Sequence, residues 1–258
     1  MKKFAWMLAL ALPVAATFTS CGDDDDQKSI TLNASTASVN YENTVELKAS
    51  EKNAVWSSSD EFIATVNDKG VVTGHHVGEA IITASKDGAS ASCKLTVTET
   101  NHDYVLPLMT WNASYTAVKN AVNNLVLDTE SSKENELLVY GTGSVDGFPW
   151  YIYNFETNGL ASSSLTVEFT DVDSYTDVCD YLDQYFKQIS FNEDTLVASY
   201  ANANSVADAK IIAEVSADFE NSIVTASFVP NNGTRSTVND FRAIFDTHKA
   251  IAAQKANK

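Results

Sequence analysis

A change in the spacing of apolar residues divides this chain into two regions of different architecture. Between residues 28 and 99, apolar and polar residues alternate in short runs separated by turn-forming residues, and no helical period occurs. After the polar segment 99–103, apolar residues recur every three or four positions, which is the spacing of one helix face. The first region is therefore predicted to be all-β, and residues 104–258 are predicted to combine helices with strands.

The composition fits folded domains and excludes some partners. The chain has 258 residues, of which 44% are hydrophobic and 20% charged, so it can bury a substantial core. Its formal net charge is −17. Because binding to nucleic acid needs a basic surface that releases phosphate counterions, we expect no nucleic acid partner.

The N-terminal segment has the features of an export signal. Lys2 and Lys3 precede an uncharged apolar run over 4–18, which is too short to span a bilayer. Residues 1–20 are therefore predicted to be a signal peptide, and small residues stand directly before Cys21. This ending resembles the lipobox of bacterial lipoproteins, which implies cleavage before the cysteine, acylation of Cys21 and anchoring in a lipid bilayer. The alternative is an ordinary signal peptide with a chance cysteine.

An acidic run follows the cysteine within residues 21–27. Its members are Asp23, Asp24, Asp25 and Asp26. Because like charges repel, this segment is expected to stay extended as a solvated tether. The run is also similar to the acidic export signal of surface-exposed lipoproteins in Bacteroidota. That resemblance implies an outer-membrane protein that faces the cell exterior.

Four segments within residues 28–99 carry a recognisable pattern. They are Trp56-Ser57-Ser58-Ser59-Asp60, Ile63-Ala64-Thr65-Val66, Gly70-Val71-Val72-Thr73-Gly74 and Gly78-Glu79-Ala80-Ile81-Ile82-Thr83-Ala84. Their order and spacing resemble the bacterial immunoglobulin-like domain, group 2. The resemblance implies an all-β immunoglobulin-like sandwich of about seven strands, used as a spacer or adhesion module on bacterial surfaces, with Trp56 as a plug between its sheets.

Residues 104–258 repeat one order of elements. Helical spacing occurs over 115–125, 175–189 and 238–248, and three strand patterns follow each of the first two helices. Tyr115-Thr116-Ala117-Val118 recurs sixty positions later as Tyr175-Thr176-Asp177-Val178. We therefore expect a duplicated α-βββ unit with a closing helix, which makes an α+β domain with a six-stranded antiparallel sheet and helices on one face. In topology only, this layout resembles tandem repeats of the β-lactamase-inhibitor-protein type, so it implies no binding residues.

The most aromatic stretch of the chain supplies the predicted binding face. Alternation places Tyr151, Tyr153 and Phe155 on one face of a strand, and Trp150 on the other together with Ile152. A strand buried on one side presents its other side to solvent, where aromatic rings bind sugars or a protein partner. The alternative is that both faces are covered.

Other patterns are less specific. Asp194-Thr195-Leu196 matches the Asp-Ser/Thr-apolar pattern of O-glycosylation in Bacteroidota, so Thr195 is a candidate glycosylation site. A glycan hydrolase needs two facing carboxylates, and Glu156 and Glu168 are strand residues that no pattern sets opposite each other. The neighbours His75 and His76 would point to opposite faces of a strand. We expect no enzymatic activity, no cofactor and no metal.

Together these features predict a non-enzymatic, surface-exposed outer-membrane lipoprotein. The acylated N-terminus would hold it in the bilayer, the Ig-like region would act as a spacer, and residues 104–258 would bind a protein or glycan. The alternative is a periplasm-facing structural or assembly lipoprotein that contacts other envelope proteins.

Overall fold

The computed structural model describes residues 29–145, 147–232 and 237–256, and it is mostly β-sheet. The strands are β1 (Thr36–Asn40), β2 (Thr44–Glu46), β3 (Val55–Ser58), β4 (Ala64–Val66), β5 (Val71–Gly74), β6 (Gly78–Lys86), β7 (Ala89–Thr98), β8 (Val126–Leu127), β9 (Leu137–Gly141), β10 (Trp150–Glu156), β11 (Gly159–Glu168), β12 (Lys187–Asn192), β13 (Val197–Ala201), β14 (Ile211–Asp218) and β15 (Ile223–Pro230). The helices in these ranges are α1 (Tyr115–Ala121), α2 (Val172–Asp183) and α3 (Thr237–Ala256).

The first seven strands form a sandwich of two sheets. One sheet has the order β1-β7-β6-β3 and the other the order β2-β5-β4. Alternate side chains from both sheets, such as Val72 of β5, Ile82 of β6 and Leu95 of β7, are buried between them, as the period of two requires. Trp56 packs against this core, and a Cβ atom at Gly70 would lie 2.8 Å from its ring. Gly70 also has φ +78°, so this position requires glycine.

The second region contains one antiparallel sheet of eight strands. Its order is β12-β13-β14-β15-β11-β10-β9-β8, so two four-stranded meanders meet where β11 pairs with β15. The prediction of six strands is wrong because two edge strands were missed. One of them, β8, has only two residues, and every residue of the other, β12, is exposed. Strand β8 is too short to show an alternation, and the helical spacing over 175–189 extended into β12, where Ile189 and Phe191 alternate with polar residues.

The helices cover both faces of this sheet. The core on one face includes Val118 of α1 and Leu182 of α2, whereas α3 packs Ile244 and Ile251 against the opposite face. The prediction that all helices lie on one face is wrong. Strands β9 and β10 carry apolar side chains on both faces, and the second apolar face, which includes Trp150, needs a cover of its own.

Gln184 fixes the connection between the two regions. This residue follows α2 and is only 1% exposed. Its Oε1 accepts hydrogen bonds from the backbone N–H groups of Thr100 (2.6 Å) and Asn101 (3.0 Å). Its backbone oxygen accepts a third from Val77 of the sandwich (2.7 Å), and Tyr185 donates to Glu99. Because buried polar groups are costly when unpaired, these bonds hold the connecting segment against the end of α2.

Candidate functional site

The structure places the aromatic strand β10 inside the second domain. Tyr151, Tyr153 and Phe155 belong to the core under α1 and α2, and Trp150 and Ile152 to the core under α3, as the alternation predicted. All four predicted binding residues are buried, with exposed fractions of 4% for Trp150, 5% for Tyr151, 2% for Tyr153 and 9% for Phe155. The prediction of a bare aromatic face is therefore wrong, because helices cover both sides of the strand.

A cleft nevertheless opens beside each end of α1, and both clefts reach the aromatic strand. The first has a volume of about 460 Å³ and lies at the C-terminal end of the helix. We call it the tyrosine cleft. Its lining residues are Asp103, Tyr104, Val105, Leu106, Leu108, Ala121, Val122, Asn124, Leu125, Thr142, Pro149, Tyr151 and Tyr153. Two of the predicted face residues thus line a cleft instead of a flat surface.

Neutral tyrosine hydroxyls form the polar part of the tyrosine cleft. The N–H of Leu108 donates a hydrogen bond to the Tyr153 hydroxyl at 3.4 Å. Burial raises the pKa of Tyr153 and of Tyr151, and backbone hydrogen bonds offset this only in part. Burial also raises the pKa of Tyr104, whose ring packs edge-on against Tyr181 at 5.6 Å. At neutral pH the cleft therefore offers apolar walls and uncharged hydroxyl groups, the usual chemistry of a ligand pocket, and Asp103 is an acidic member of its lining.

The second cleft, which we call the hairpin-tip cleft, lies beside the turn between β10 and β11. Its volume is about 520 Å³. The lining residues are Asn112, Ser114, Tyr115, Asn135, Glu136, Phe155, Glu156, Thr157, Asn158 and Gly159. The rings of Tyr115 and Phe155 pack together at 5.3 Å and form its apolar wall. Phe155 is the third predicted face residue that reaches a cleft.

Backbone hydrogen bonds fix the rim of the hairpin-tip cleft. The N–H of Asn112 donates to the oxygen of Leu160 (3.0 Å), and the N–H of Leu160 donates to the oxygen of Ala113 (2.8 Å). The N–H of Phe155 donates to the oxygen of Glu136 (2.8 Å). These bonds hold two loops that are distant in sequence against the hairpin, so the cleft is preformed.

Several residues of the clefts were missed by sequence reasoning. The wall of the tyrosine cleft comes from residues 104–108, an apolar run directly after the polar connection that fits neither a helix nor a strand period. That mismatch was an available signal, because an apolar run without a period of its own has to cover another element. Asn112 and Asn135 gave no such signal, since contacts between distant segments bring them together.

The remaining predicted residues lie apart from these clefts. Thr195 is exposed in the turn between β12 and β13, where its N–H donates to the Asn192 side chain at 3.1 Å. Cys21 and the acidic residues Asp23, Asp24, Asp25 and Asp26 lie outside the described residues.

The two strand carboxylates lie at opposite ends of their hairpin. Glu156 pairs with Gly159 at the turn, and Glu168 ends β11 nine residues further on. At about 3.3 Å per residue they are roughly 30 Å apart, well beyond the spacing of about 5–10 Å that a glycosidase pair needs. These two residues cannot act together on one glycosidic bond.

The described ranges contain no candidate metal site and no candidate membrane span. There, no group of three or more His, Cys, Asp and Glu is placed to hold a metal ion. Among the helices of the same ranges, none combines the length and apolarity that crossing a bilayer requires.

Comparison with known proteins identifies the first domain. Residues 26–97 match the bacterial Ig-like domain (group 2). The match spans both sheets of the sandwich, which is therefore called the Ig-like domain below, and it confirms the resemblance drawn from the four segments in its sequence. None of the curated proteins matches the chain.

Proposed function

We propose that this protein is a non-enzymatic, surface-exposed outer-membrane lipoprotein that binds a protein or glycan through its C-terminal domain. In this proposal Cys21 carries the acyl chains and the acidic residues 23–26 extend the chain from the bilayer. The Ig-like domain then acts as a spacer, and the clefts beside α1 bind the ligand. The order of signal peptide, cysteine, acidic run and Ig-like domain supports it.

The tyrosine cleft is the observation that carries the binding part of the proposal. It combines a large apolar surface with a few uncharged hydroxyl groups, as pockets for small ligands or for anchor side chains of a partner do. The bonds of Gln184 hold the connecting segment that leads into residues 103–108, one wall of the cleft. A wall that is fixed before the ligand arrives lowers the entropic cost of binding.

Two matched valines test the tyrosine cleft. Val105 lines the cleft and is 65% exposed, whereas Val55 in β3 of the Ig-like domain is 68% exposed. In the mature chain, Val105→Asp should abolish capture of the cellular ligand because it places a charge in an apolar cleft, and Val55→Asp should leave capture unchanged. Both variants should fold, as shown by circular dichroism. Equal capture by both variants would remove the tyrosine cleft from the proposal.

The lipid anchor is tested by labelling with a palmitate analogue. The Cys21→Ala protein should lose the label and leave the outer membrane, whereas Cys179→Ala should keep both, because Cys179 is a half-buried residue of α2. Label retained by Cys21→Ala would overturn the anchor. Protease added to intact cells should cut the wild-type protein, and protection from the protease would favour the periplasm-facing alternative.

We also propose O-glycosylation at Thr195. The residue is exposed in the turn between two strands, where an enzyme could reach it. The intact mass of the native protein should fall to that of the bare chain in Thr195→Ala, and Thr157→Ala, at another exposed turn, should keep the added mass. Retention of the added glycan mass in Thr195→Ala would exclude the site.

We infer further that the C-terminal domain contains two copies of one unit. Each half has a helix followed by four strands, and the halves meet at the β11–β15 pair. The repeated segment Tyr115–Val118 starts α1, its counterpart Tyr175–Val178 lies one turn into α2, and the valines of both are buried in one shared core. If the inference holds, each valine replaced by Ala should destabilise the domain by a similar amount, about 1–3 kcal/mol in denaturant unfolding.

A further inference from the structure

We propose that the hairpin-tip cleft binds a neutral sugar unit of a glycan, an inference that rests on the proposed binding function and specifies its ligand class. The cleft combines two kinds of groups. The Tyr115–Phe155 pair gives an apolar wall, and side-chain amides and carboxylates surround it. A sugar ring presents the same two kinds of surface, namely apolar C–H faces and hydroxyl groups that both donate and accept hydrogen bonds. The surrounding groups are Asn112, Asn135, Glu136, Glu156 and Asn158.

The amides and carboxylates differ in what they offer to hydroxyl groups. Each amide both donates and accepts hydrogen bonds, while each carboxylate only accepts them. Three amides and two carboxylates therefore match a ligand with several hydroxyls better than a ligand that only donates or only accepts. Ser114 and Thr157 add two further hydroxyl groups at the rim.

The charge of the lining disfavours anionic ligands. Its described lining residues include two glutamates and no lysine or arginine. Two lysines lie near but outside the lining: Lys133 forms an exposed ion pair with Glu136, and the ammonium of Lys119 lies 6.0 Å from the centre of the Tyr115 ring. Phosphorylated, sulfated or sialylated ligands would meet carboxylate side chains but no cationic side chain among the described lining residues.

The cleft is organised before any ligand binds. Asn112 and Asn135 both have φ +63°, in the left-handed region that few residues other than glycine adopt. Gly159 has φ +104°, and a Cβ atom there would lie 2.4 Å from the Asn112 oxygen. Asn112 and Asn135 thus adopt a less favourable backbone conformation in two loops that meet at one cleft, and the glycine at 159 lets the hairpin approach them closely. Such conformations persist where the surrounding structure holds them, as the backbone hydrogen bonds of the rim do here.

The two clefts therefore have different chemistry. The tyrosine cleft has mainly apolar walls, whereas the hairpin-tip cleft has one aromatic pair inside a polar rim. A matched control for an experiment comes from two exposed asparagines: Asn158 lines the hairpin-tip cleft, whereas Asn204, between β13 and β14, is not among the described lining residues of either cleft.

The test measures sugar binding by the mature full-length protein in solution. The neutral probes are methyl α-mannoside, methyl β-galactoside and N-acetylglucosamine oligosaccharides, and the anionic probe is sialyllactose. Binding is followed at millimolar concentration by saturation-transfer NMR. We expect at least one neutral probe to bind, and Asn158→Ala and Glu136→Ala each to weaken that probe about tenfold, since each removes direct hydrogen bonds. Asn204→Ala should bind it as the wild type does, and circular dichroism should show that all variants are folded.

Four outcomes would overturn the inference. The first two are binding of sialyllactose alone and the absence of a signal from every neutral probe. The third is unchanged binding in both hairpin-tip variants. The fourth, measured by adding a neutral peptide as a competitor, is displacement of the sugar by a peptide that binds with higher affinity. None of these outcomes decides the proposed function, because loss of ligand capture by Val105→Asp and loss of label by Cys21→Ala are measured independently.

Discussion

The face of the C-terminal sheet under α1 and α2 is one continuous apolar layer, whereas the face under α3 is divided by polar side chains. On the first face a single core extends from β10 to β13 and includes Tyr153, Tyr200 and Phe228. On the second face two small apolar groups lie near the two halves of α3, with Phe241 in one and Ile251 in the other. The two helical layers are therefore held by different forces.

A polar belt separates the two small apolar groups. It consists of two cross-strand rows on β11, β15 and β14, with members Ser164, Ser227, Glu214, Thr166, Thr225 and Ser216. His248 of α3 lies on this belt and is fully buried. The helix is held further by the buried ion pair between Lys255 and Asp128. Polar contacts depend on geometry and pH more than apolar ones do, so we expect α3 to open before the rest of the domain.

The largest predicted effect concerns the continuous layer. Phe228 is fully buried, and its ring lies 5.6 Å from that of Phe186. Phe228→Ala should destabilise the C-terminal domain by about 3–5 kcal/mol, because it removes apolar contacts and leaves a cavity. Phe219→Ala is the matched control, since this ring is 60% exposed and the loss there should stay within about 0.5 kcal/mol. Urea unfolding measures both, and similar losses would contradict the assignment of the main core to this layer.

The second effect concerns the ion pair that anchors the end of α3. Lys255 donates to Asp128 (2.7 Å) and to the backbone oxygen of Val145 (2.7 Å). Burial raises the pKa of Asp128, but the hydrogen bonds from Lys255 and Ser131 outweigh this and lower it to about 2. Lys255→Met should cost about 3 kcal/mol, because it leaves a buried carboxylate without its cation.

Hydrogen exchange of the α3 amides measures the stability lost in Lys255→Met within the helix itself. The exposed pair of Lys133 and Glu136 gives the control, and Lys133→Met should cost less than about 1 kcal/mol. The double variant Asp128→Asn with Lys255→Met should lose less than the sum of the single losses. Strict additivity would show that the pair is not coupled.

The same comparison explains which parts of the fold were predictable. Alternation in β10 placed Tyr151 and Trp150 on opposite faces, because a strand has only two faces. The Ig-like domain was recognisable because its turns and core positions occur in a fixed local order. Strand β1 lies outside the four recognised segments, since its only apolar residues are Ala37 and Val39 and it gains its place by pairing in parallel with β7.

Features that depend on distant contacts were not predictable. The helical spacing continued to Ile189, but α2 ends at Asp183 and Ile189 belongs to the exposed strand β12. Directly after the helix, the side chain of Gln184 accepts hydrogen bonds from the backbone of the connecting segment. No local sequence pattern encodes this long-range contact. The hairpin-tip cleft is a similar case, because bonds from Asn112 to β11 and from β10 to Glu136 assemble it.

The third predicted effect is a pH dependence of folding stability that arises from His248 in the polar belt. His248 contacts the hydroxyls of Ser164 (2.9 Å), Thr166 (3.2 Å) and Thr225 (3.2 Å), and burial lowers its pKa from 6.5 to about 3. Between these two values the unfolded chain binds a proton that the folded chain does not, so stability falls as the pH is lowered. From pH 7 to pH 5 this contribution amounts to about 2 kcal/mol.

The difference between wild type and His248→Gln isolates that contribution. The variant should be less stable at pH 7 because it disturbs the buried hydroxyl contacts, but it should lose less on acidification than the wild type. Phe219→Ala, which removes an exposed and non-ionisable ring, should follow the wild-type pH curve. Parallel curves for wild type and His248→Gln in hydrogen exchange of α3 would show that His248 is not the titrating group.

The smallest effect has the opposite sign and concerns the outer end of the belt. Glu214 stands between Ser199 and Ser227 on the face of α3, and burial raises its pKa to about 7. Since this pKa lies above the value for the unfolded chain, ionising Glu214 costs stability as the pH rises from about 4.5 to 7. Glu214→Gln should therefore stabilise the domain by about 1 kcal/mol at pH 8 and should have no effect at pH 4. The gain is small because solvent screens the exposed part of the side chain.

Glu220→Gln gives the control for this substitution, because its side chain is 85% exposed and the change should be neutral at both pH values. A gain from Glu214→Gln that is equal at pH 4 and pH 8 would assign the effect to packing. A gain confined to high pH would show that the belt tolerates a carboxylate only at a cost in stability.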